Sequence, residues 1–403
     1  MGDPKNGAWR QLWATFFGKT WPVWAGGIIL AFLNVCLFLA KSPWGGTGTY
    51  ISWGENIYQA IGLFGIEHVK PVLAHSYGLL GLMTLLGAFA GALFGREFAI
   101  RIPPMGEMFK GLIGGVLMAL GATLGIGCTI GGFLSGWAAL SGGGIILAVG
   151  FMIGTYFALK YLIWEMEALP KMSMGKTYTF LAAKGAGGVW QPILGTILTI
   201  VLLVAFSMRF RTDNGMAMFA ILGLVIGIVL QRSRFCLVRA FREPFMTGES
   251  EAPVGVMAAL IVGIIGFTVI KYMGVGTSTP GAARALAMTW VYPHFWLRAI
   301  IGGVVFGLGM TVAGGCAVGT LWRAGEGHVK LWFAAIGFML FAPISKKFIV
   351  PGFANMLPEW AKQKMFLPDR FGYGGAVLIF FVIIVLWYGF VKWNERTGKF
   401  TAI

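Results

Sequence analysis

Apolar residues in this chain are gathered into runs of about 17 to 20, each close to the length that spans the hydrocarbon core of a bilayer as a helix. The runs fall at roughly 21–40, 77–95, 107–126, 142–164, 191–208, 215–231, 252–273, 297–312, 329–349 and 372–392. Polar, glycine-rich or basic breaks separate them. The pattern predicts an all-α polytopic membrane protein with about nine or ten transmembrane helices. The first run is too long for the apolar core of a cleaved signal and no small-x-small site follows it, so it is expected to be a retained span. Between the first two runs, Lys41–Ser76 is expected to be a loop, with Trp44, Tyr50, Trp53 and Tyr58 at the membrane interface.

One stretch occurs twice. Gly302 to Gly319, GGVVFGLGMTVAGGCAVG, matches Gly114 to Gly131, GGVLMALGATLGIGCTIG, at a constant offset of 188, with nine of eighteen positions identical. The first and sixth spans match more weakly, Gly27-Ile28-x-Leu30 before Cys36 against Gly227-Ile228-x-Leu230 before Cys236. The chain therefore reads as two pseudo-symmetric halves of five spans. An odd number of spans per half turns the halves opposite ways across the membrane, and inverted repeats place a solute site at their interface near the midplane. The linker at 165–188 divides a first half-repeat, 1–188, from a second, 189–403, within one membrane domain.

Composition narrows the class. Hydrophobic residues make up 57% and charged residues 11%, against about 25% charged in soluble domains. The net charge of +16 comes with no groove-reading motif, so nucleic acid is not an expected partner. Basic residues flanking spans are expected of inner-membrane proteins; the inner segments carry the larger share, which puts both termini in the cytoplasm. A positive vestibule that concentrates an anion is the other use of such charge.

The chemistry gathers at the breaks. After Cys128 and after Cys316 the apolar run stops in glycine-rich sequence too short to cross the bilayer again. Each is expected to unwind at Gly127-Cys128 or Gly315-Cys316 and continue as a short re-entrant helix. Such backbone is tolerated at membrane depth only where protein buries it or water reaches it, and the first helical N–H groups attract anions. Thr129, Gly131 and Gly319 belong to these turns. Upstream pairs such as Gly111/Gly115 and Gly303/Gly307 are assigned to helix packing. A third break lies in Gln231-Arg-Ser-Arg234-Phe-Cys236, followed by Arg239 and Arg242, which also suit a plain cytoplasmic boundary. Cys36 lies inside an uninterrupted run and is open between packing and a fourth site. Arg323, Glu326 and His328 suit a gate or a surface ion-pair cluster.

No C-x-x-C, ligand-spaced histidine pair, P-loop or Gly-x-Ser-x-Gly elbow is present, so no metal, cofactor, ATP drive or hydrolytic enzyme is expected. Thiols with no device for lowering their pKa are weak donors on polarizable sulfur. They suit a soft anion that is held briefly and released.

At GIGCTIGGFLSG (Gly125–Gly136), QRSRFCLVRAFRE (Gln231–Glu243) and AGGCAVGTLWRAGEGHV (Ala313–Val329) the chain resembles the YeeE/YedE family of bacterial inner-membrane proteins, which includes thiosulfate transporters. The resemblance implies an hourglass-shaped bundle with short helices dipping in from both faces. It implies that Cys128, Cys236 and Cys316 line the constriction and pass a sulfur-containing anion along by S–H···S contacts. Length places the chain nearer a longer branch linked to selenium metabolism, so a selenium analogue is an alternative substrate, and the extra length is expected in Lys41–Ser76 and the linker. A TusA-like sulfur carrier is the partner this family implies. The competing expectation is a membrane thiol protein that accepts or transfers sulfane sulfur through a cysteine persulfide; a non-transporting scaffold is the third.

Overall fold

The computed structural model describes residues 16–125, 127–168, 175–182, 190–209, 213–292 and 296–401. Among them, ten helical segments are long and apolar enough to cross a membrane, and each expected span falls on one of them. The chain is a multi-pass, all-α membrane protein. Its helices in order are α1 (Val23–Ala40), α2 (Thr47–Ile61), α3 (Ser76–Phe94), α4 (Met105–Leu124), α5 (Ser135–Ala138), α6 (Gly142–Ala168), α7 (Trp190–Arg209) and α8 (Asn214–Ser233). There follow α9 (Leu237–Met246), α10 (Glu251–Met273), α11 (Pro280–Ala287), α12 (Leu297–Ala313), α13 (Ala317–Gly325), α14 (Val329–Ile344), α15 (Val350–Met356) and α16 (Pro368–Thr397). A π-helical turn, Thr129–Leu134, leads into α5.

Helix contacts come in exchanged pairs. The α6–α12 interface has a counterpart in α14–α4, and α3–α8 in α10–α1. The short helices follow suit: α2 packs on α3 and α14 as α9 packs on α10 and α6. Helix α7 lies on α3 as α16 lies on α10. At the centre, α4 meets α12 and α1 meets α8.

Glycine permits these crossings, since a bilayer supplies no hydrophobic drive between helices and close backbone contact must hold them. A Cβ on Gly115 would stand 2.1 Å from Ala334 O, and one on Gly227 2.2 Å from Thr84 O. Gly111, Gly303 and Gly307 likewise face neighbouring backbone, as packing glycines should.

Lys41–Ser76 departs from its expected loop. It holds α2, and Trp44, Tyr50 and Tyr58 are buried, with Trp53 half-buried. Asn34, a polar residue inside an apolar run, and Ser135, in the break after Cys128, draw the segment inward. Asn34 Oδ1 accepts from Trp44 N at 2.7 Å, Ser135 Oγ donates to Trp44 O at 2.8 Å, and Asn34 Nδ2 donates to Ser135 Oγ at 3.0 Å. Because α2 occupies the place that α9 holds in the exchanged contacts, the segment is an element of the bundle and not an added loop. In the linker at 165–188, α6 continues to Ala168, and Tyr178–Phe180 pairs antiparallel with Ile100–Ile102. Its remaining parts at 169–174 and 183–188 lie outside the described residues, as do Lys5, Arg10 and His294.

Both described chain ends lie at one face, called here the terminal face. Trp21 N bonds Arg232 O at 2.8 Å, and Asn394 Nδ2 bonds Pro244 O at 2.6 Å.

Candidate functional site

Three cysteines occupy the same local position. Cys128, Cys236 and Cys316 each cap the N-terminus of a short helical segment, with extended backbone. Glycine chemistry produces one of the breaks. Gly314, at φ 80°, ends α12 in the left-handed region, which disfavours residues with a Cβ. On the other half, α4 stops at Leu124 and Gly127 N bonds back to Ala122 O at 2.8 Å. The third break uses Arg234, which ends α8 at φ 54°. Cys316 Sγ accepts from Gly319 N at 3.3 Å, so this thiol itself caps α13. An N-cap position points the positive end of a helix at the sulfur.

Two glycines show how the thiols are grouped. A Cβ added to Gly319 would stand 3.3 Å from Cys316 Sγ and 3.6 Å from Cys236 Sγ. A Cβ added to Gly46, the N-cap of α2, would stand 3.2 Å from Cys128 Sγ and 3.3 Å from Ala317 Cβ. Cys316 and Cys236 therefore flank one glycine, and Cys128 faces the residue that follows Cys316. Tyr50 bridges the two groups: its hydroxyl donates to Ala317 O at 2.7 Å, its ring stacks on Phe338, and both Cys316 and Cys128 lie within electrostatic range. Thr129 and Thr320, both fully buried, stand beside this group, the Thr129 hydroxyl against the Cys316 thiol and the Thr320 hydroxyl against Tyr50.

Cavities approach from both sides. Away from the terminal face, one of about 280 Å³ is lined by Gly45, Thr47, Tyr77, Gly127, Gly131, Trp290 and Tyr292. Gly131 O closes its inner wall, accepting from Trp290 Nε1 at 2.8 Å and from the Tyr292 hydroxyl. On the terminal side, one of about 240 Å³ is lined by Gly314, Arg242, Lys330, Lys110 and Glu107. Arg242 Nε is buried there without a hydrogen-bond partner, and Cys236 is within its electrostatic range.

Gln231, Arg234 and Glu326 meet in a partly buried lock. Arg234 reaches Glu97 Oε2 at 2.8 Å and Glu326 Oε1 at 2.7 Å. Gln231 Nε2 donates to Glu97 Oε2 at 2.7 Å and to Glu326 Oε1 at 2.8 Å. Burial pushes the Glu326 carboxyl up, but His328, the Arg234 charge and Gln231 together hold it below the usual carboxylate range. Glu326 is 1% exposed, which removes the surface-cluster reading for it. Arg323 stands apart and donates to Gly314 O at 3.0 Å. Gly315 lies against Thr320 and Leu331.

Cys36 is not brought to the group. It sits within continuous α1, half-buried among apolar neighbours. The register of its match to Cys236 is misleading, since α8 breaks just before Cys236 whereas α1 runs on to Ala40. The N-cap that Cys236 holds on α9 is held on α2 by Gly46. Sequence reasoning missed Gly46, Tyr50, Thr320, Tyr292 and Glu97. A usable signal was Asn34, a polar side chain inside an apolar run.

A family model described as "Sulphur transport" matches residues 2–157 and 232–402, segments that contain all three capping cysteines. Two relatives named "Probable transporter YedE", from Escherichia coli (strain K12) and Salmonella typhimurium (strain LT2), are each 24% identical and cover 96% of this chain and 96% of their own length. The "Thiosulfate transporter TsuA" of Escherichia coli (strain K12) is 30% identical over 168 residues, 41% of this chain and 45% of its own.

Proposed function

The chain belongs to the sulphur-transport family, and on that premise we propose that it carries thiosulfate, or a closely related sulfur or selenium anion, across the bacterial inner membrane through a thiol-lined waist. The observation that carries this reading is the grouping of Cys128, Cys236 and Cys316 around Gly46 and Gly319. Weak S–H donors on polarizable sulfur match the terminal sulfur of thiosulfate, and contacts that are individually weak let the ion leave. The anion enters at the cavity beside Cys128, passes Cys316 and Cys236, and leaves past Arg242. In this reading both termini are cytoplasmic and the halves are inverted. The exchanged helix contacts favour a division between α7 and α8 over one at residue 188. A TusA-like carrier would receive the sulfur at the terminal face.

Uptake into proteoliposomes of a panel (thiosulfate, sulfite, sulfate, selenite) tests this. Sulfate exposes only hard oxygens, so losing the sulfur contacts at about 1 kcal/mol each should leave its uptake at least about tenfold below that of thiosulfate. Equal uptake of the two contradicts the thiol mechanism. A persulfide trapped on Cys128 or Cys316 during turnover supports sulfur transfer instead.

A further inference from the structure

Two buried cations stand apart from the thiol group and from the Arg234 lock. Lys271, near the end of α10, is 3% exposed and donates to Ala139 O at 2.8 Å, Ala287 O at 2.8 Å and Thr289 O at 2.9 Å. Three acceptors use three N–H protons, which the ammonium form alone carries. Arg298, at the start of α12, is 4% exposed and donates from Nε to Leu124 O at 2.8 Å and from Nη2 to Thr123 O at 3.0 Å. Among the described residues, neither forms an ion pair with a carboxylate.

Their partners bracket one break. Thr123 O and Leu124 O lie at the end of α4, just before Cys128, and Ala139 O follows α5, just after it. Lys271 also holds Thr289, next to the Trp290 and Tyr292 that reach Gly131 O. Carbonyl cages satisfy donors but leave the formal charge uncancelled. Such charge is costly in a low-dielectric interior, and inside a membrane it marks an ion pathway. The contrast lies at the terminal face, where Arg232 and Arg234 already meet Glu97 and Glu326.

We propose that Lys271 and Arg298 are the charge-selecting residues of the Cys128 subsite. The bound anion is their missing counter-charge, and two fixed cations favour a small dianion over a monoanion. Neither residue needs to touch the anion; both act through space while holding the break in place. This rests on the transport reading, because it takes the cavity beside Cys128 as the entry subsite.

The test titrates the purified full-length protein with sodium thiosulfate and with sodium thiocyanate, a soft monoanion, at constant ionic strength. The readout is thermal unfolding, followed by uptake kinetics in proteoliposomes. Wild type is expected to reach half-maximal stabilisation at a thiosulfate concentration at least about tenfold below that for thiocyanate. Lys271→Gln is expected to raise the thiosulfate midpoint and the uptake KM about tenfold, with the maximal rate within about twofold, while Lys271→Arg stays near wild type. Arg298→Gln and Arg298→Lys should divide the same way. Equal shifts in the Gln and Arg variants, or none in either, overturn the proposal and leave a structural clamp. If Lys271→Gln does not fold, the wild-type comparison decides, since equal midpoints for the two anions contradict it. Wild type that binds thiosulfate without carrying it refutes the transport reading alone, and the titration still judges the two cations.

Discussion

Uptake by a Gly319→Ala variant is expected to fall to background while the protein still folds and inserts. The added methyl would lie 3.3 Å from Cys316 Sγ and 3.6 Å from Cys236 Sγ, inside the gap that the proposed path crosses. Gly319 is in the first turn of α13 at ordinary helical angles, so alanine brings no backbone strain. Overpacking of this kind costs about 1–3 kcal/mol, a modest fall in the unfolding temperature beside a complete loss of flux. Gly46→Ala should do the same from the other side, 3.2 Å from Cys128 Sγ. Uptake together with thermal unfolding separates a plug from a folding defect. Wild-type flux in both variants would place the pathway elsewhere.

The second large effect is expected at Cys316. Replacement by serine keeps an acceptor for Gly319 N, now held at 3.3 Å by the thiol, so the α13 cap should survive. What disappears is the soft, polarizable sulfur. Thiosulfate uptake should drop at least about tenfold, from one lost contact and a hydroxyl that binds water more tightly. Cys316→Ala should drop as far and unfold earlier by about 1 kcal/mol, the usual cost of removing a cap. Cys36→Ala should leave uptake at wild-type level, because that residue packs within α1. Uptake and unfolding of the three variants together check this.

The fold was legible because a bilayer allows few solutions. Apolar length alone locates the ten membrane-length helices among the described residues, and the Gly-Cys repeat locates the two breaks in α4–α5 and α12–α13. The first-half counterpart of α9 was not legible. Helix α2 carries Trp53, Tyr58, Glu55 and Gln59, and the Trp44 backbone just ahead of it is drawn inward by Asn34 and by Ser135, the latter distant in sequence. A local pattern of aromatic and polar residues looks the same at a membrane interface as in a re-entrant helix. Cys36 misled for a related reason: the match before it is real, but the break that makes Cys236 an N-cap comes at a different distance. The lock of Gln231, Arg234, Glu97 and Glu326 joins residues more than ninety positions apart, and nothing in their spacing announces it.

The most direct measurement labels single-cysteine variants with a membrane-impermeant thiol reagent in vesicles of both orientations, with and without thiosulfate. Cys128 is expected to react from the periplasmic side and Cys236 and Cys316 from the cytoplasmic side, with thiosulfate slowing all three where sulfate does not. Reaction of all three from one side, or rates indifferent to thiosulfate, would contradict a shared thiol waist between the two faces.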